Sequence, residues 1–149
     1  MKYTEKMSKK INTLLVKNHD AEKGYKKAAK LVDDIRLKQF FESQAHNRSE
    51  FGMKLSSEIK KYGEIPEKGT SFESDIHRTW MDIKTTFTSN DEEAILNEVQ
   101  RGEKLAVEAY NEIINDTALP PTTQSLLTKQ REQIKSTVQS AMNFEQVVS

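Results

Sequence analysis

Apolar residues recur at alternating steps of three and four along four separate stretches of the chain, and that period admits little other than long amphipathic helices. The first stretch places Ile11, Leu14, Asn18, Ala21, Tyr25, Ala28 and Val32 on one stripe. The second does the same with Leu37, Phe41, Gln44, Arg48, Phe51, Leu55, Ile59 and Tyr62. The third stripe holds Val99, Glu103, Ala106, Tyr110 and Ile113, and the last holds Leu127, Gln130, Ile134, Thr137, Ala141, Phe144 and Val148. Each stretch has about 25 residues, or roughly 35–40 Å of helix at 1.5 Å per residue.

The breaks between stretches are marked by the residues that helices avoid. All three prolines fall in two of them. Val32-Asp33-Asp34 is the first joint, and Tyr62-Gly63-Glu64-Ile65-Pro66 the second, with Gly63 placed to end a helix. Thr88-Ser89-Asn90 is the third. The fourth runs from Asp116 to Pro121 and offers two prolines suited to a helix start. Gly24, Gly52 and Gly102 sit inside helical patterns and mark no joint. The expected helices therefore span about 4–31, 35–62, 91–115 and 121–148. Helices this long with short joints pack as antiparallel hairpins. The connection over 63–90 is too long for a turn. Thr70-Ser71-Phe72-Glu73 reads as a capping box, and Phe72, Ile76, Trp80, Ile83 and Phe87 follow at helical spacing, so a short helix is expected over about 72–87. The expectation is one all-α domain over 1–149, an antiparallel four-helix bundle whose second and third long helices are joined by a long crossover carrying a short extra helix.

A chain of 149 residues without cysteine fits one core and has no thiolate site or disulfide. No apolar run is long enough to cross a bilayer, and the polar start lacks the apolar segment of a signal peptide, so a cytoplasmic location is expected. Basic and acidic residues number 23 each. That balance argues against a nucleic-acid partner, whose binding is driven by counterion release. No glycine-rich phosphate loop is present.

The informative residues are polar ones at core positions, because a buried charge asks for a partner. Arg48 and Glu103 lie on their stripes. Glu22 lies on the flank Leu15-Glu22-Ala29, stepping by seven. Residues equidistant from a hairpin joint share a level, which places Glu22 near Gln44, Ala45 and Arg48, and Glu103 near Gln130, Gln133 and Ile134. The expected buried polar layer pairs Arg48 with Glu22 and Glu103, with Gln130 or Gln133 completing the hydrogen bonds. Tyr25 and Tyr110 are placed to donate their phenols to the same carboxylates.

Two chemistries compete for such a layer. Carboxylates in a bundle core hold two metal ions when two helices each supply a Glu and the other two each supply a Glu-x-x-His pair. Those pairs are missing: Arg48-x-x-Phe51 and Gln130-x-x-Gln133 stand instead. A guanidinium repels cations and cannot lose its proton. The favoured expectation is a metal-free, non-catalytic layer with no cofactor, in a chain acting through its surface, possible homo-oligomerisation included. The alternative is iron or manganese held by Glu22, Glu103 and His19. His46 faces away from the core stripe and suits a solvent pair with Glu42 or Glu50. His77 sits one turn before Trp80 on the expected crossover helix, where packing and a local hydrogen bond compete with a role as a gate.

The run Asn18-His19-Asp20-Ala21-Glu22-Lys23-Gly24-Tyr25 resembles the first-helix motif of an uncharacterised family of bacterial ferritin-like four-helix-bundle proteins. Phe40-Phe41, Ala45, Arg48 and Phe51 resemble its second helix, and His77-Arg78-x-Trp80 with Asp82-Ile83-Lys84 its crossover helix. Asp91-Glu92-Glu93-Ala94-Ile95-Leu96 and Arg101-Gly102-Glu103 through Tyr110 resemble its third helix, and Leu126-Leu127 through Gln130 and Ile134 its fourth. The resemblance covers about 11–139 and implies a ferritin-like fold. It implies no activity. Val138 departs from the pattern, since many relatives carry His there, which weakens a metal reading for this chain.

Overall fold

A computed structural model describes residues 2–67, 91–116 and 118–148 of the chain. The described residues form four long helices and no strand: α1 (Tyr3–Leu31), α2 (Ile35–Lys61), α3 (Glu92–Asp116) and α4 (Pro121–Val148). The short helix expected over 72–87, with His77 and Trp80, and the joint at Thr88-Ser89-Asn90 lie outside the described residues.

The helix ends follow from local chemistry. Asp34 caps α2, its carboxylate accepting from the backbone N–H groups of Arg36 at 2.8 Å and Leu37 at 3.3 Å. Arg36 lies on the same carboxylate and holds it below the usual range. At the far end of α2, Gly63 takes φ +80°. Its N–H bonds back to the Lys60 carbonyl at 2.9 Å, and the Glu64 N–H reaches the Ile59 carbonyl at 3.2 Å. Those two bonds satisfy carbonyls that the helix end would otherwise orphan, in the arrangement that favours glycine. α4 opens on Pro121, where the missing N–H costs nothing.

Side-chain bonds give the register of the bundle. Within the first hairpin Lys38 reaches the Ala29 carbonyl near the joint and Arg48 reaches Asn18 half-way along, so α1 and α2 run antiparallel. α3 and α4 do likewise, with Arg131 on Asn111 and Tyr110 on Gln130. Between hairpins, Asn18 meets Tyr110 and Tyr25 meets Glu103, two rungs seven residues apart on each helix. Three rungs of the same pitch join α2 to α4: Gln44 with Thr137, the Phe51 carbonyl with Gln130, and Glu58 with Thr123. The neighbours around the bundle are therefore α1–α2–α4–α3, all antiparallel, with α2 and α3 on a diagonal and parallel. Two parallel helices cannot be joined by a tight turn. The connection from Lys61 to Glu92 therefore starts and finishes at opposite ends of the bundle, roughly 40 Å apart for a helix of 27 residues. Its first residues are held to α1, where Asn12 accepts from the Glu67 N–H at 2.7 Å and donates to the Ile65 carbonyl at 3.4 Å.

The core consists of two apolar clusters. One gathers Tyr25, Ala28, Val32, Leu37, Phe41, Ile95, Leu96 and Val99 around the first joint. The other gathers Ile11, Leu14, Phe51, Leu55, Ile59, Tyr110, Ile113 and Leu127 towards the opposite end. Full burial of a side chain of this size contributes about 1.5–3 kcal/mol. Between the clusters lies a level that carries polar groups. Among the described residues, no helix is long and apolar enough to cross a membrane.

Candidate functional site

At the level between the two clusters, Arg48 lies 2% exposed and Glu103 0% exposed. The Arg48 Nη1 straddles the carboxylate, 2.5 Å from each Glu103 oxygen, and so bridges the diagonal of the bundle from α2 to α3. Its Nε donates to the Asn18 Oδ1 at 2.5 Å. The Tyr25 hydroxyl donates to Glu103 Oε2 at 2.7 Å. Asn18 uses its amide nitrogen twice, on the Leu14 carbonyl at 2.8 Å and on the Tyr110 hydroxyl at 2.9 Å. Tyr110 donates onward to Gln130 Oε1 at 2.6 Å, and Gln130 donates to the Phe51 carbonyl at 3.3 Å. The network thus runs through all four helices, and its buried polar groups are bonded to one another save at Arg48 Nη2.

The charges are fixed by their surroundings. Burial works against the Arg48 charge, but the Glu103 carboxylate outweighs it and the guanidinium's pKa is raised. Burial and then the Glu103 charge push the Tyr25 phenol well above its ordinary value. Burial pushes Tyr110 up to about 12. Both phenols are therefore neutral donors, and the layer is one cation and one anion in contact, ringed by neutral groups.

Glu22 and Gln133 stand apart from this network. Glu22 pairs with Lys26 at 2.9 Å, its side chain 20% exposed, and makes no bond to Arg48. The flank it shares with Leu15 and Ala29 is buried for a short or branched side chain, but a longer one swings to the rim and keeps its charge in water. The place beside Arg48 expected of Glu22 is taken by Asn18, one turn earlier. Gln133 is exposed, about a sixth of a turn round the helix from Gln130. Tyr110 donates to Gln130 and not to a carboxylate. Asn18 was visible on the first stripe. Its importance was hidden because an asparagine carries no charge to demand a partner.

A second polar level sits near the other end of the bundle. Glu58, 7% exposed, accepts from Thr123 at 2.8 Å, Thr123 shares a 2.8 Å hydrogen bond with Tyr62, and Lys61 lies 3.2 Å from Glu58. The seven-residue series Gln44, Phe51, Glu58 is the sequence signal for it, since it continues the face that meets α4.

These residues do not fit a pair of metal ions. The Glu103 carboxylate is bonded by Arg48 and Tyr25, and Glu22 is bonded to Lys26. The His19 ring lies against α2 beside Gly52, where a Cβ built on that glycine would meet its Cε1 at 3.6 Å. Among the described residues, no three His, Asp or Glu side chains gather as a metal-binding group. His46 pairs with Glu50 at 3.1 Å on the outer surface.

A family model described as a domain of unknown function (DUF2383) matches residues 6–116. The match takes in α1, α2 and α3, and with them Asn18, Tyr25, Arg48, Glu103 and Tyr110; Gln130 on α4 lies beyond it. No curated protein matches the chain. The matched stretch is well over half of the sequence, and the chain belongs to this family, the domain of unknown function DUF2383.

Proposed function

We propose that the chain is a bacterial ferritin-like bundle in which a fixed cation stands where a metal-using relative would hold ions, and that it works in the cytoplasm without a metal, as a structural, stress-related or interaction protein. The observation that carries the reading is the Arg48 Nη1 placed 2.5 Å from both Glu103 oxygens, with both side chains buried. A metal ion seated on Glu103 would sit beside a guanidinium that cannot deprotonate, and the repulsion at low dielectric is severe. Two long antiparallel hairpins, with α2 and α3 parallel on the diagonal, support the ferritin-like assignment. The same reading has the chain act through its outer faces, as a homo-oligomer or on a protein partner. Ile35, Met53, Ile65 and Val147, each more than half exposed, are apolar contact points for such an assembly.

Elemental analysis of protein purified without chelator tests the proposal. Sub-stoichiometric iron and manganese is the expected result. Stoichiometric metal that disappears in Glu103→Gln overturns it.

A further inference from the structure

A cleft of about 190 Å³ opens between α2 and α4 at the level of the polar network. Asn47, Gln133 and Ser140 give it polar walls, Phe51 and Ile134 an apolar side, and Arg48 its only charge among the described lining residues. The guanidinium is planar, with its donors fixed at three corners. Nε is committed to Asn18 on α1 and Nη1 to Glu103 on α3. Neither acceptor engages the third corner, Nη2, and Arg48 lines the cleft. Nη2 is buried and has no hydrogen-bond partner among the described residues. A buried guanidinium nitrogen left without an acceptor is costly, and most such groups in folded proteins find one.

We propose that this cleft binds a small carboxylate with a short apolar body, the carboxylate accepting from Arg48 Nη2 and the body lying against Phe51 and Ile134. A carboxylate makes the stronger, charge-assisted bond to a guanidinium. No acidic side chain among the described lining residues repels it. The inference goes beyond the metal-free reading and needs only the Arg48–Glu103 geometry.

Propionate is a suitable probe, titrated into isotope-labelled full-length protein and followed by nuclear magnetic resonance, with propionamide and sodium chloride at matched ionic strength as controls. The expected result is saturable shifts confined to the cleft, at the Asn47, Gln133 and Ser140 amides and the Arg48 side chain. Propionamide should bind about ten-fold more weakly, the gap between charge-assisted and neutral hydrogen bonds. Ser140→Phe fills the cleft without touching the network, and should abolish the shifts while the melting temperature stays near that of the parent. Shifts that fail to saturate, that spread over lysine-rich outer faces, that propionamide or chloride reproduces equally, or that survive in folded Ser140→Phe overturn the proposal. The titration of the unmodified protein decides the matter even if Ser140→Phe does not fold. Metal content is read separately, so the failure of one proposal leaves the other standing.

Discussion

Replacing Arg48 with methionine removes the cation from the centre of the bundle while keeping most of its length and apolar bulk. The change deletes the contacts of Nη1 with both Glu103 oxygens and of Nε with Asn18. Glu103, at 0% exposure, then keeps only the Tyr25 hydroxyl as a hydrogen-bond donor among the bonds described. Removing one partner of a buried ion pair costs about 3–5 kcal/mol, most of it the stranded charge and not the lost bonds. For a chain of 149 residues that is a fall in melting temperature of roughly 10–15 °C. The stranded charge can be isolated in a double-mutant cycle. Arg48→Met with Glu103→Gln removes both charges, so it should recover about 2 kcal/mol or more relative to the sum of the single changes. Urea unfolding of the four proteins at one pH gives each free energy, and helix content by circular dichroism checks that each folds. An Arg48→Met protein within about 1 kcal/mol of the parent, or a cycle with no coupling, would refute a buried, paired guanidinium.

Two further outcomes follow from the same geometry. The Tyr25 and Tyr110 phenols are raised in the folded state, Tyr110 to about 12, against about 10 when unfolded. A raised folded value means their contribution is whole below pH 10 and is lost as pH climbs from there through 12, by about 3 kcal/mol for Tyr110. Tyrosinate absorbance from these two should therefore appear only together with loss of helix; ionisation of all four tyrosines in a still-helical protein contradicts this. Gly52→Ala should stabilise α2 by about 0.5–1 kcal/mol from propensity alone, since the added Cβ meets Leu15 at 3.4 Å and His19 at 3.6 Å, both ordinary contacts; a drop in melting temperature would show that this packing cannot accept a methyl group.

The helices and most of their ends were legible because each depends on nearby residues. Asp34 caps α2 through bonds to residues two and three positions on, and Gly63 ends it through bonds to residues within one turn. Arg48 and Glu103 stood out because a charge on an apolar stripe has few places to go. The partner of Arg48 within its hairpin was harder. Distance from the joint gives height along the bundle, but it does not say which way a side chain turns, and Glu22 turns outward to Lys26 while Asn18 turns in. Contacts between hairpins were less accessible still. The length of the crossover makes α2 and α3 parallel, yet it leaves their axial offset open, so nothing in the spacing told that Tyr110 meets Asn18 and Gln130 or that Gln44, Phe51 and Glu58 step along α4. Glu58 was missed for a related reason: it lies beside the stripe through Leu55 and Ile59, on the face that only the neighbouring hairpin covers.

The network is divided unevenly between the two hairpins. Asn18, Tyr25 and Arg48 belong to the first, and Glu103, Tyr110 and Gln130 to the second. Separated, one half would leave the Arg48 cation on its greasy inner face without its counter-ion, and the other half the Glu103 anion. Their union cancels both. Two copies of the same half brought together would confront guanidinium with guanidinium or carboxylate with carboxylate, and like charges in contact away from water cost several kcal/mol. A newly made chain thereby carries a means of telling its own complementary half from an identical half of a neighbour, at the moment when both expose apolar surface.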